Sequence, residues 1–362
     1  MSSVVVKIGP PAPAPALAIA MSSLPVGFAA SATAVPAFRW DQAALLQLSG
    51  YEGQRAGFFS NSQIDGRYLY LDPETFTPNE SIDQLNDRFE RGAIEIGTAA
   101  VQSVLARAGW TTGDVDFIAT TTCTGRLCPS LDARLINTLS LKPSVQRVHV
   151  GDTGCASAMV ALQQAHNHLR AFPDHRAVVV AVELCSTAYY DDDRLESAVA
   201  HAIFADGAGA LALASDGDGP EISSHRTIFR PEHLSAMGFQ YPGGRPRVVL
   251  SKEVRRIGAA MMKEMAEALL AGHGLKQEDI RHFVLHSAGR RVIDQAQKLM
   301  GLDESAIAHS RHVLRHFGNM SSATVLFVLD ELLRSGETAP GEWGLMIALG
   351  PGFAAEGALL RW

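Results

Sequence analysis

Three residues stand where sequence pattern puts reactive groups: Cys155, His286 and Asn319. Cys155 follows the strand-like "QRVHV" and the turn "GDTG", and precedes the helical run "ASAMVALQQAHNHL". A thiol at a helix N-terminus faces unpaired N–H groups and the positive end of the helix dipole, which lowers its pKa toward a usable thiolate. The small neighbours Gly154 and Ala156 leave backbone N–H groups open to a thioester oxyanion. His286 ends the strand-like "HFVLHS", where a neutral imidazole can share a hydrogen bond with a reacting carbonyl. Asn319, in "FGNMSS", offers amide donors that never titrate, so it suits an enolate and cannot act as a base. Each also has a bland reading: a small core cysteine, one interface histidine among 13, and a helix N-cap.

Such chemistry needs a frame that brings a loop cysteine to two distant partners. Helix-like and strand-like segments alternate through the chain, which predicts an α/β architecture. Residues 91 to 108, "RGAIEIGTAAVQSVLARA", carry helical periodicity, and "VDFIATTT" (115 to 122) is a short β-branched strand. "AVVVAVEL" (177 to 184) is the continuous apolar run of a strand covered on both faces. "LPVGFAASATAVPAFRWDQAALLQL" reads as a strand, a loop and a helix start. "SDGDGP" (215 to 220) breaks the pattern, which sets the boundary between two halves: 1–215 holds the cysteine, 216–362 the histidine and asparagine.

The halves resemble each other. "VLARAGWTTGDVDFIATTT" is echoed by "LLAGHGLKQEDIRHFVLHS", and "GCASAMVALQQA" by "GNMSSATVLFVLDEL". The offset 319 minus 155 is 164, and 286 minus 122 is also 164, which pairs Cys155 with Asn319 and Thr122 with His286. Two similar α/β halves face to face would gather these loop positions at the shared interface.

Composition excludes several classes. The chain has 362 residues, 47% hydrophobic and 19% charged, enough to bury a sizeable core. Lys plus Arg is 31 against 38 Asp plus Glu, a formal charge of -7, so nucleic acid is not an expected partner. The four cysteines, at 123, 128, 155 and 185, form no CxxC pair and have no histidine at metal spacing. A reducing, cytoplasmic setting without a metal is expected. Apolar runs are broken by Pro or Gly short of a membrane span, and Pro10, Pro11, Pro13 and Pro15 argue against a cleaved secretory signal in the Ala- and Pro-rich stretch 8 to 36.

The motifs "GDTGCASA", "VLHSAGRRVID", "HVLRHFGNMSSATVLFVLDEL", "FADGAGALAL" and "GLMIALGPGFAAEGALLRW" occur in that family's order and resemble the type III polyketide synthases, relatives of chalcone synthase. The similarity runs from about residue 25 to the C-terminus. Ketoacyl synthase III enzymes share the Cys, His and Asn, but their histidine motif has an Asn three residues on, where this chain has Gly289. The resemblance implies a thiolase-like five-layered αβαβα fold from two duplicated halves. It implies that Cys155 is loaded from a coenzyme A thioester, and that His286 and Asn319 stabilise the enolate left when malonyl-CoA loses CO2. No cofactor is implied beyond the thioester substrates, and a homodimer is.

The resemblance also assigns the pocket. Phe204 matches a gatekeeper aromatic, Val248 a second gatekeeper position, and Cys123, Ala188 and Ser321 the cyclisation pocket. The family's terminal GFGPG reads here Ala348, Leu349, Gly350, Pro351 and Gly352. Cys128 corresponds to a residue that enters the neighbouring subunit's cavity, and Arg55 and Arg67 are what remains of the CoA-phosphate cluster. The small Ala188 and Val248 predict a roomy pocket. "NSQIDGRYLYLDPE" and "ELCSTAYYDDDRLESAVAHAIFADGAGALAL" look most like bacterial 3,5-dihydroxyphenylacetyl-CoA synthases, which use malonyl-CoA as starter and extender. Alternatives are an alkylresorcinol or alkylpyrone synthase with a fatty acyl starter, a thioesterase-like hydrolase, and a non-catalytic acyl-CoA-binding paralogue.

Overall fold

The computed structural model describes residues 24–74 and 80–362. The Pro-rich stretch up to residue 23 lies outside them, and from Gly27 the chain is a strand. The first half runs β1 (Gly27–Ala34), β2 (Arg39–Asp41), α1 (Gln42–Ser49), α2 (Gly53–Ser60), β3 (Gly66–Tyr68), α3 (Ile82–Ala108), β4 (Phe117–Thr122), α4 (Leu131–Leu139), β5 (Gln146–Gly151), α5 (Ser157–Ala171), β6 (Ala177–Leu184), α6 (Leu195–Ile203) and β7 (Asp206–Ala214). The second half runs β8 (Glu221–Phe229), β9 (Met237–Gln240), β10 (Arg247–Leu250), α7 (Val254–Ala271), β11 (Ile280–Leu285), α8 (Arg290–Met300), α9 (Ala308–Phe317), α10 (Ala323–Ser335), β12 (Trp343–Gly350) and β13 (Ala354–Arg361). The turn 215–220 separates β7 from β8.

Among the described residues nine strands share one sheet, in the order β11-β12-β13-β8-β1-β7-β6-β4-β5. Its five N-terminal and four C-terminal strands meet at one pairing, Gly27 with Glu221. They therefore act as two half-sheets, and helices sort around them into five layers. α3 and α4 cover the outer face of the first. α5 and α10 fill the space between the inner faces. α7 and α8 cover the outer face of the second. This is the αβαβα arrangement of the thiolase fold.

Local sequence explains the layers. α10 is buried without interruption from Ala323 to Asp330, as a helix apolar on all sides must be. Every residue of β6, "AVVVAVEL", is buried, Glu183 included. α3 starts nine residues before the predicted 91, because Ser81 and Gln84 form a reciprocal capping box ahead of a polar first turn. The duplication is visible in the turns before β4 and β11. Thr111 N–H donates to Asp114 Oδ2 and Lys276 N–H to Asp279 Oδ2, both at 2.7 Å. Here 279 minus 114 is 165, one more than the predicted offset, so the counterpart of His286 is Thr121 rather than Thr122. No described helix is long and apolar enough to cross a membrane.

The central layer carries a pH sensitivity. His166 on α5 and His225 on β8 meet with ring centroids 5.1 Å apart and planes tilted by 48°, and burial drives their pKa values down to about 4 and about 3. Both rings are neutral in the fold, while in the unfolded chain they protonate near pH 6.5. The folded values are the lower ones, so their stabilising effect is complete above pH 6.5 and is lost as pH falls toward 4. The thermal midpoint should fall over that window, and less steeply in His225→Gln; equal slopes in both proteins would reject the assignment.

Candidate active site

Cys155 lies in a single 3-10 turn, Gly154–Ala156, between β5 and α5. Gly154 takes φ +62, and a Cβ there would come within 2.2 Å of Pro351. A Cβ on Gly350 would meet Thr153 O at 2.8 Å and Ala156 Cβ at 2.9 Å. The C-terminal Gly-Pro-Gly loop therefore clamps the cysteine turn of the other half, and only glycine allows that approach. Ser321 Oγ donates to Cys155 Sγ at 3.2 Å and lies equally 3.2 Å from Cys123 Sγ. Ser321 has φ 49, a left-handed conformation costing roughly 1–2 kcal/mol. Its N–H donates to Asn319 Oδ1 at 2.9 Å, which helps hold that conformation.

The thiol is not the low-pKa group that the pattern predicts. Burial pushes Cys155 up to about 12, the Ser321 hydrogen bond opposes this, and the charge of Glu183 adds to it. α5 begins two residues beyond the thiol, and its neighbours are a hydroxyl and a carboxylate rather than a cation. Burial also raises Cys123 and Cys185 well above the ordinary thiol value, with Glu183 as the next cause.

His286 follows β11, 1% exposed, and both ring nitrogens lack a hydrogen-bond partner. Burial alone lowers its pKa to about 4, so the imidazole is neutral. It is pinned through its backbone: its N–H donates to Ile347 O at 2.9 Å, and Ala288 N–H donates to its carbonyl at 2.9 Å. Asn319 Nδ2 donates to Ala288 O at 3.1 Å while Oδ1 accepts from Ser321 N–H. That acceptor role settles the amide's orientation and leaves one amide hydrogen free. Asn319 is not an N-cap, since Ser322 holds that position on α10.

Asn319 also bonds across the halves. Its N–H donates to Ile203 O at 2.8 Å, and Ala205 N–H donates to its carbonyl at 2.9 Å, which sets Phe204 opposite it in an isolated parallel bridge. A narrow cavity of about 40 Å³ opens beside Cys155, room for a few waters. Cys123, Ala188, Phe204, Val248, Ser321 and Pro351 line it, whereas His286 and Asn319 are not among its walls. The cavity is small despite Ala188 and Val248, and Tyr189, Met237 and Phe239 share its walls. Phe239 pairs with Val248 across the β9–β10 ribbon, a contact that no local sequence signal announces. Glu183 was also missed: it accepts from Thr124 Oγ1 at 2.8 Å, from Cys123 N–H at 3.1 Å and from Ser322 Oγ. Burial raises its pKa despite those donors, and the signal was a lone carboxylate in an apolar strand.

Other expected residues lie elsewhere. A Cβ on Gly352 would meet the ring of the exposed Phe229 at 2.6 Å, so Gly352 faces away from the cavity. Cys128 is exposed. Arg55 is half-buried, paired with the exposed Asp193 at 3.2 Å, a contact worth about 0–1 kcal/mol that a phosphate can displace. Arg67 cannot hold a CoA phosphate: it is 0% exposed, and its two terminal nitrogens bond the carbonyls of Phe204, at 3.0 Å, and His201.

Residues 69–234 match the family model described as FAE1/Type III polyketide synthase-like protein, and residues 270–362 that of the 3-Oxoacyl-[acyl-carrier-protein (ACP)] synthase III C terminal. The chain is 33% identical to a 3,5-dihydroxyphenylacetyl-CoA synthase of Amycolatopsis balhimycina over 344 residues, 92% of each protein. It is 31% identical to a 1,3,6,8-tetrahydroxynaphthalene synthase of Streptomyces peucetius subsp. caesius, again over 92% of each. The crystal structure of 1,3,6,8-tetrahydroxynaphthalene synthase from Streptomyces coelicolor A3(2) matches with a TM-score of 0.87 at 26% identity, covering 93% of this chain and 99% of that one. Five layers from two duplicated halves, a cysteine turn clamped between them and likeness along nearly the whole length have one reading: the chain belongs to the type III polyketide synthases, enzymes that transfer acyl groups by Claisen condensation.

Proposed function

We propose that Cys155 carries the growing acyl chain and that His286 and Asn319 stabilise the enolate that extends it. The observation that carries this reading is a buried, neutral His286 with both ring nitrogens free, tied through Ala288 to an Asn319 amide with one hydrogen to spare. Uncharged donors aimed at a developing oxyanion need no proton transfer in each cycle. In loading, Cys155 sulfur attacks the acyl-CoA carbonyl, the C–S bond to CoA breaks, and the thiol proton passes by way of His286 to the departing CoA sulfur. In extension, malonyl-CoA loses CO2 and the electron pair of the broken C–C bond remains as the enolate. The enolate carbon then attacks the Cys155 thioester, whose C–S bond breaks, and the freed sulfur attacks the thioester of the extended acyl-CoA and expels CoA thiolate.

The likeness to two curated synthases of aromatic products supports cyclisation to a small phenolic ring, and we assign malonyl-CoA as both starter and extender. Arg55 is the CoA-phosphate contact in this reading, and the exposed Cys128 supports a dimer in which it enters the neighbouring cavity.

Asn319→Ala should still form the acyl adduct at Cys155 while CO2 release from malonyl-CoA falls about a hundredfold or more, as loss of an oxyanion donor does. Unchanged decarboxylation would remove Asn319 from the mechanism. Cavity shape is tested separately by product mass. Val248→Phe narrows an already tight space and should shorten products while Cys155 loads normally, and Phe239→Ala should lengthen them. Products of parental mass from both variants would show that the ribbon does not bound the growing chain.

A further inference from the structure

Among the described residues, Arg67 is the largest fully buried side chain, a cation whose bonding partners are backbone carbonyls rather than a carboxylate. Those carbonyls belong to the C-terminal end of α6, where unpaired C=O groups and the negative end of the dipole attract a guanidinium. Each of the helix's last carbonyls has a partner. Ala200 O accepts from Phe204 N–H, His201 O from Arg67, Ala202 O from Gln42 Nε2 at 2.9 Å, and Ile203 O from Asn319 N–H. Arg67 also donates to Phe204 O at 3.0 Å, an acceptor it shares with the Tyr189 hydroxyl at 2.7 Å. Gly318, at φ +73, lets the backbone before Asn319 close on the same place. A Cβ there would meet Ile203 O at 3.0 Å, Ala205 Cβ at 3.1 Å and Arg67 Cδ at 3.3 Å. One side of the segment 203–205 is thus bonded to Asn319, and Arg67 braces the other.

We propose that Arg67 is a positioning residue: it fixes the register between Phe204 and Asn319, and so the aim of the Asn319 amide at the enolate. This rests on the enolate role of Asn319 proposed above. Arg67 touches neither Cys155 nor its turn, so its loss should separate the two half-reactions. A misplacement of about 1 Å costs on the order of a hundredfold in rate, whereas acyl transfer to Cys155 does not use the displaced amide.

The test measures three quantities in the full chain: the rate of acyl loading at Cys155, malonyl-CoA decarboxylation per loadable site, and the thermal midpoint. Gln42→Ala is the control, since it removes a cap from the same helix end without touching Phe204 or Asn319. Arg67→Met should lower decarboxylation about tenfold or more with loading within about twofold. Arg67→Lys, which keeps the charge and one donor site, should fall between and serves alone if the methionine variant does not fold. Gln42→Ala should leave both rates unchanged whatever its midpoint. If the Arg67 variants lose both rates together, or lose neither, Arg67 is only a helix cap and the proposal is overturned. Asn319→Ala measured alongside separates the cases: retained decarboxylation there overturns the enolate role itself.

Discussion

The site depends on one backbone exchange between the halves: Asn319 N–H to Ile203 O, and Ala205 N–H to Asn319 O. The two half-sheets pair at one position, Gly27 with Glu221, so the sheet itself does little to fix how the halves meet at the cavity. The exchange adds a direct backbone link there. From Asn319 the order passes to Ser321, whose strained backbone its carboxamide holds, and from Ser321 Oγ to Cys155. From the other side the Gly350–Pro351 loop presses on the cysteine turn. A nucleophile from one half and amide donors from the other are thereby held in one place.

At rest neither the thiol nor the imidazole carries a charge. A thiol pushed up to about 12 and an imidazole pushed down to about 4 do not exchange a proton before substrate arrives. Their charges develop only when a thioester is attacked or a carboxylate leaves, in a cavity whose free space is small and where fixed donors act strongly. The same burial that withholds the thiolate limits the water that can reach an acyl intermediate.

Much of this was legible in the chain. Periodicity and turn residues located the strands that end at the site, and the internal repeat pairs Cys155 with Asn319, because both are loop positions ahead of a central helix. The repeat erred by one residue at His286, since the two echoed segments end at Thr122 and Ser287, an offset of 165. The thiol's pKa could not be read, because the helix-end rule describes only local dipoles while burial arises from the whole fold. Arg67 misled for a related reason: the family resemblance set it among the CoA-phosphate contacts, and only tertiary structure shows that it faces inward to cap α6. Phe239 and the tightness of the cavity were invisible because the β9–β10 ribbon folds over the site from a distant segment.

The central claim is that one thiol, Cys155, holds the chain while the other half supplies the carbanion. Rapid mixing with malonyl-CoA, acid quench and peptide mass analysis test it directly. The account predicts a malonyl-derived acyl adduct on the peptide bearing Cys155 and none in a folded Cys155→Ala variant. An adduct on Cys123 or Cys185 instead, or product made at the parental rate by Cys155→Ala, would contradict it.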